Sequence, residues 1–227
     1  MKFSLSYLLI LAIVFTGCRE ASKSPEMAMA QETTPKTLLE KLADKHGFEH
    51  WDKVRRLQFT FNVDRGENHF ERTWIWEPQA NTVTSITATD TLTFQRDQVD
   101  SLLLPTDAAF INDKYWFLAP YQWVWDQDSF THEYQESAEA PISGEAAARL
   151  TIVYGNEGGY TPGDAYDFYF DKDSVLREWV FRKGNQPEPS LATTWEKYQD
   201  EGGLLLSTHH QNADGSFKLY FTGVRVN

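Results

Sequence analysis

Cysteine is all but missing: Cys18 is the only one in 227 residues. An internal disulfide is therefore excluded, and the fold must be held by packing alone. Positive charge is also scarce, with 21 Lys and Arg against 33 Asp and Glu and a net charge of −12. A chain so acidic, with no basic cluster, repels phosphate backbones, which excludes a nucleic-acid partner. It also disfavours docking through anionic lipid headgroups. Catalytic signatures are absent: there is no G-x-S-x-G, no H-E-x-x-H, no P-loop and no G-x-G-x-x-G. Acidic pairs such as Asp126 with Asp128, or Asp164 with Asp167, arise by chance at this acidic content. The chain is therefore expected not to be an enzyme. Metal ligation is not expected either. His209 and His210 are neighbours in a strand pattern and point to opposite faces. Asp171-Lys172-Asp173 lacks the glycine and terminal glutamate of a calcium loop and reads as a turn. No cofactor is implied.

Apolar length is short as well. Phe3 to Phe15 is nearly free of polar residues but falls below the roughly 20 needed to span a bilayer. With Lys2 before it and small residues after, it reads as a cleaved secretory signal over residues 1–17. Val14-Phe15-Thr16-Gly17-Cys18 looks like a bacterial lipobox, which makes Cys18 the lipidation site. That resemblance implies a diacylglyceryl thioether and a permanent membrane anchor, since two or more acyl chains give stable attachment. Arg19 stands where enterobacterial lipoproteins kept at the inner membrane carry aspartate. Its presence favours the outer membrane, with the facing of the domain left open. Residues 18–36 are polar, with Pro25 and Pro35, and read as a lipidated flexible tether. Residues 37–227 are long enough for one β-rich domain.

Aromatic residues are abundant: 8 Trp, 10 Tyr and 15 Phe make up 15% of the chain. Large areas of ring are available for a core or for the lining of a ligand cavity. Thr37 to His46 has a helical pattern, with Thr37 and Glu40 placed as a capping box and Gly47 as a stop. Period-2 alternation then marks strands at residues 57–63, 70–76, 82–89 and 92–96. Leu57, Phe59, Phe61 and Val63 share a face, as do Arg72, Trp74 and Trp76. Alternation stops from Asp97 to Asp126, where Asp107 to Leu118 reads as a helix ending before Pro120. Seven further strands are expected at residues 131–136, 148–154, 165–170, 175–182, 192–199, 204–211 and 217–224. Tyr166, Phe168 and Phe170 share one face, with Tyr169 opposite; Phe217, Leu219 and Phe221 share another, with Tyr220 opposite. About eleven short, mostly antiparallel strands describe a sandwich or barrel.

Four features carry a family resemblance: the lipobox, Glu71-Arg72-Thr73-Trp74-Ile75-Trp76-Glu77-Pro78, the segment Asn112 to Tyr121, and the hairpin Phe170-Asp171-Lys172-Asp173-Ser174. In pattern the chain resembles the LolA/LolB-like outer-membrane lipoprotein-sorting proteins and, more closely, a group of uncharacterised Bacteroidetes lipoproteins of similar plan. The resemblance covers most of Thr37 to Val226. It implies a mainly β, α+β fold: a curved, antiparallel, unclosed β-barrel with an N-terminal helix and a helical lid insert. It also implies an apolar concavity that holds acyl chains, and it places Arg72 where an arginine latches the lid.

Two readings follow. In the first, a monomeric, membrane-anchored envelope lipoprotein takes an acyl chain, lipid or lipoprotein into the concavity. Phe59, Phe61, Arg72, Trp74, Trp76, Trp116, Phe168 and Phe170 are then the candidate ligand-binding residues. The alternative is a surface glycan-binding or structural lipoprotein whose tryptophans stack on sugar rings, which requires tryptophans exposed along one surface.

Overall fold

The computed structural model describes residues 35–227. The expected signal peptide, the expected lipidation site Cys18 and nearly all of the expected tether lie outside the described residues. Thr37 opens the first helix as its spacing predicts. Its hydroxyl accepts from the Glu40 N–H, and the Glu40 carboxylate accepts from the Thr37 N–H, over a helix α1 at Leu38–Asp44. Leu39, Leu42 and Ala43 form its buried face. Gly47 follows with φ +88, and a Cβ there would meet the carbonyl oxygen of Gly203 at 2.0 Å. Only glycine permits both that left-handed backbone and that approach.

Two antiparallel sheets follow. The larger contains β1 (Leu57–Arg65), β2 (Asn68–Glu77), β3 (Thr82–Ile86), β4 (Thr91–Gln95), β10 (Glu196–Glu201), β11 (Leu204–Gln211) and β12 (Phe217–Val226). Its order is β10-β11-β12-β1-β2-β3-β4. The smaller contains β5 (Phe130–Glu139), β6 (Ala146–Tyr154), β7 (Ala165–Phe170), β8 (Leu176–Arg182) and β9 (Leu191–Thr194), in chain order. The strand expected at 192–199 is therefore two strands, separated by Trp195. That residue is 1% exposed, its N–H donates to the Arg177 carbonyl, and its ring stands edge-on to His210 at 4.6 Å. Here the chain leaves one sheet and enters the other, and Lys197 just beyond has φ +50. Such a corner is a strongly bent strand in which burial of one large ring fixes the turning point. The strands do not close into a barrel: β4 and β5 end the two sheets and do not pair with each other.

The insert is helix α2, Leu104–Trp125. It extends through Pro120 rather than stopping before it, because the helix bends at Leu118 (φ −123, ψ 25). A proline inside a helix costs roughly 3 kcal/mol. Beyond the bend, Tyr121 and Trp123 are both fully buried, and each large side chain returns about 1.5–3 kcal/mol. The burial beyond the kink thus outweighs its cost. From Asp113 to Trp123 the helix is buried around nearly its whole circumference, because both sheets press on it. Phe110 meets Trp74 and Trp76, Phe117 meets Phe59 and Phe221, and Trp123 meets Phe168 and Phe170. Strand β7 is buried on both faces along its whole length, as its two-sided aromatic pattern predicts.

Candidate functional site

Between α2 and the two sheets lies a cavity of about 960 Å³, partly open to solvent. Its apolar wall is built by strand parity. Phe61 and Val63 of β1 stand beside Phe217 and Leu219 of β12, which pairs with β1 in antiparallel register. Trp179 and Phe181 of β8 line it from the smaller sheet, as does Tyr166 of β7. Trp116 of α2 closes the wall, with its ring centroid 4.3 Å from that of Trp179. Residues 155–161 and the hairpin residues Arg65, Asn68, His69 and Phe70 line the opening. Phe70 is 48% exposed there. Tyr160 ties the 155–161 segment to the first turn of α2. Its hydroxyl donates to Asp107 Oδ2 at 2.6 Å, while Arg96 Nε donates to Asp107 Oδ1 at 2.8 Å. Loss of hydration, together with the bond to Asp107, pushes the Tyr160 phenol up to about 12.

Polar groups gather in one part of this cavity. Lys114, Gln122 and Asp126 come from α2 and its end, and Tyr115 and Tyr154 add two hydroxyls. Lys114 is 3% exposed, and its Nζ donates to Gln122 Oε1 at 2.7 Å. The same Nζ lies 5.2 Å from the ring centroid of Trp76 and 4.8 Å from that of Trp125. Burial, aided by the positive field of Arg96, lowers its pKa from the ordinary 10.5 to about 7. Tyr154 Oη stands 3.5 Å from Tyr115 Oη and 3.4 Å from Asp126 Oδ2. Burial pushes both phenols well up, so they remain protonated donors.

The residues singled out in the sequence separate into three groups. Phe61 and Trp116 line the cavity. Phe59, Trp74, Trp76, Phe168 and Phe170 are buried in the core around α2 and do not line it. Arg72 stands apart: its guanidinium grips Asp113 of α2 through Nε and Nη2, the latter at 2.8 Å, and so holds the helix to β2. The Trp74 indole N–H donates to the same carboxylate at 2.8 Å. Asp113 is fully buried. Lys114, Tyr115, Tyr154, Tyr166, Trp179 and Leu219 also line the cavity but are not among the candidate ligand-binding residues of the sequence. Tyr166 and Leu219 were visible by parity with Phe168 and Phe221. The adjacent charges Asp113 and Lys114, set inside an aromatic segment, were the available sign of buried polar groups. Among the described residues no cluster of metal-ligating side chains occurs. His210 is buried beneath Trp116 and Trp195, whereas His209 stacks on Tyr220 on the other face. None of the eight tryptophans is solvent-exposed: six are buried, and the half-buried Trp51 and Trp125 pack edge-to-face at 4.9 Å.

No family model matches the chain, and no curated protein matches it. Among solved structures it is similar to a LolA superfamily protein from Nitrosomonas europaea, at 9% identity and a TM-score of 0.48. It is similar also to a DUF1329 family protein from Desulfovibrio piger, at 9% identity and a TM-score of 0.46. Each alignment covers 85% of this chain and 94% of the other. A domain from Vibrio parahaemolyticus, described as an outer membrane lipoprotein-sorting protein, is similar at 8% identity and a TM-score of 0.43, over 82% of this chain and 93% of that one. At such identities the likeness is one of chain course alone.

Proposed function

We propose that this protein is a bacterial envelope lipoprotein, anchored by lipid on Cys18 at the outer membrane, that binds an acyl chain in the cavity beside α2. The ligand is a lipid or the acylated end of a lipoprotein, and the action is capture and release rather than catalysis. The observation that carries this reading is the cavity itself. At about 960 Å³ it is near the top of the ~300–1,000 Å³ range of small-molecule sites. Its wall of Phe61, Val63, Trp116, Trp179, Phe217 and Leu219 offers apolar surface from several elements at once. Burial of a chain there gains about 0.8 kcal/mol per methylene. Affinity should therefore climb with chain length and change little with salt. The glycan reading has no such support, because it needs tryptophans on an open surface and none is exposed.

Native mass spectrometry of the Cys18→Ser chain, which carries no lipid anchor and is purified without detergent, tests this directly. A co-purifying lipid or fatty acid, lost in Leu219→Asp and kept in the surface variant Lys172→Ala, is the expected result. A protein that carries no such adduct and takes up no added acyl probe would sink the reading.

A further inference from the structure

An apolar cavity for a hydrocarbon chain has no need of a primary amine, yet Lys114 is placed at this one. Three features of its setting point to a ligand. Its Nζ carries up to three donors, but the described residues supply one hydrogen-bond acceptor, Gln122 Oε1. The remaining contacts are the ring faces of Trp76 and Trp125, which attract a cation without accepting a directed hydrogen bond as an oxygen does. Lys114 also shares the cavity's lining with Gln122, Asp126 and the paired hydroxyls of Tyr115 and Tyr154.

We propose that Lys114 anchors the head group of the cavity's ligand, and that this ligand is a single-chain amphiphile ending in a free carboxylate, of the fatty-acid class. The proposal rests on the acyl-chain reading above and specifies its ligand. The chain lies against Phe61, Trp116 and Leu219, while the carboxylate accepts from the Lys114 ammonium and from the phenols. A monoanion fits better than a phosphate. Arg96 also lines the cavity but is paired with Asp107, and Arg65 stands at the opening, so Lys114 is the cation left for a ligand inside, with Asp126 facing the same space. One negative charge is matched by Lys114, whereas a dianion would leave charge unbalanced beside Asp126 in a poorly solvated site.

The groups that set the charge on Lys114 are Arg96, Asp107 and Asp126, with Tyr115 and Tyr154 neutral beside it. In the empty cavity its pKa of about 7 leaves the amine close to half protonated near neutrality. A bound carboxylate pulls the proton on, so carboxylate binding takes up protons and weakens as pH rises. An ester of the same chain has no such dependence.

Titration of the full chain with dodecanoate and with methyl dodecanoate, read by tryptophan emission, tests the proposal. Trp116 and Trp179 line the cavity and report its filling. The acid should bind at least about tenfold more tightly than the ester, as one charge-assisted hydrogen bond in a buried site implies. That preference should shrink between about pH 6.5 and about pH 9. In Lys114→Met it should vanish, with the ester bound at least as well as before. Equal binding of acid and ester by the unmodified protein would overturn the head-group assignment while leaving the chain-binding reading intact. Retention of the acid preference in Lys114→Met would overturn it as well. Failure of both probes to bind the unmodified protein would overturn both readings. The comparison within the unmodified protein does not depend on whether the variant folds.

Discussion

His46 shows how much one side chain can hold at the residue scale. Its Nδ1–H donates to the Leu42 carbonyl at 2.9 Å, and its Nε2 accepts from the Leu176 N–H at 3.1 Å. The His46 carbonyl in turn accepts from the Leu205 N–H and from the Tyr121 hydroxyl. One residue thus ties the end of α1 to β8, β11 and α2. The ring is 0% exposed, and burial lowers its pKa to about 4, so it is neutral with the proton on Nδ1. His46→Ala leaves the Leu176 N–H buried without an acceptor and opens a cavity. The expected loss is about 2–4 kcal/mol, to be read as a lower midpoint in urea unfolding; an unchanged midpoint would remove the role. Nothing near His46 in the sequence signals this reach, because the donor to its Nε2, Leu176, lies 130 residues away. Thr37 was legible for the opposite reason: its partner Glu40 is three residues along the same turn.

At the scale of elements, the hold on α2 is an ion pair in a dry setting. Asp113 is buried and accepts from Arg72, from the Trp74 indole and from the Asn112 amide at 3.0 Å. Arg72 keeps about a fifth of its side chain exposed, so it loses less hydration than its partner. Arg72→Met would leave the carboxylate without its cation, at a cost of about 3 kcal/mol. Arg72→Met combined with Asp113→Leu should recover most of that loss, since a matched apolar pair avoids the stranded charge. Acyl-chain exchange should be faster in the single variant, because the helix that forms one wall of the cavity is less firmly held to β2. Stopped-flow release of a bound acyl probe checks this, and an unaltered release rate would separate Arg72 from any control of the cavity. The sequence placed Arg72 on the correct face of β2 with Trp74 and Trp76, and located the insert that α2 occupies. It could not show that α2 continues through Pro120, because a proline reads locally as a stop. The bend at Leu118 is tolerated only because Tyr121 and Trp123 find a core beyond it. Nor could it show that Phe59, Trp74 and Phe168 sit behind the helix while Phe61 and Trp116 reach the cavity. Alternation reports a face, and that one inner face is partly covered by α2 and partly left open.

For the molecule as a whole, the buried bases give stability a defined dependence on pH. His46 and His210 are held neutral by burial, their pKa values lowered from 6.5 to about 4 and about 3. In the unfolded chain both regain the ordinary value, so between about pH 3 and 6.5 the unfolded state binds more protons. Their contribution is complete above pH 6.5 and is lost as pH falls through the folded values, at on the order of 3 kcal/mol for His46 and about 5 kcal/mol for His210. Lys114 acts in the same sense higher up: the unfolded chain holds a proton up to about 10.5 that the folded chain releases near 7, so its burial costs least in alkali. The net charge of −12 opposes that second rise, since a compact acidic chain repels itself more as its bases discharge. The histidines and the net charge act in the same direction only below the isoelectric point of about 4.9, where rising pH also lessens the chain's self-repulsion. Unfolding free energy should therefore climb steeply from about pH 4 to about pH 6.5 and change far less above it. Urea titrations across that range check the slope. His210→Phe should flatten it by roughly half, because His210 lies between Trp116, Trp195 and Phe221 in a site suited to a neutral ring. A slope unchanged in that variant would mean that carboxylates, not buried imidazoles, set the acid limit of the fold.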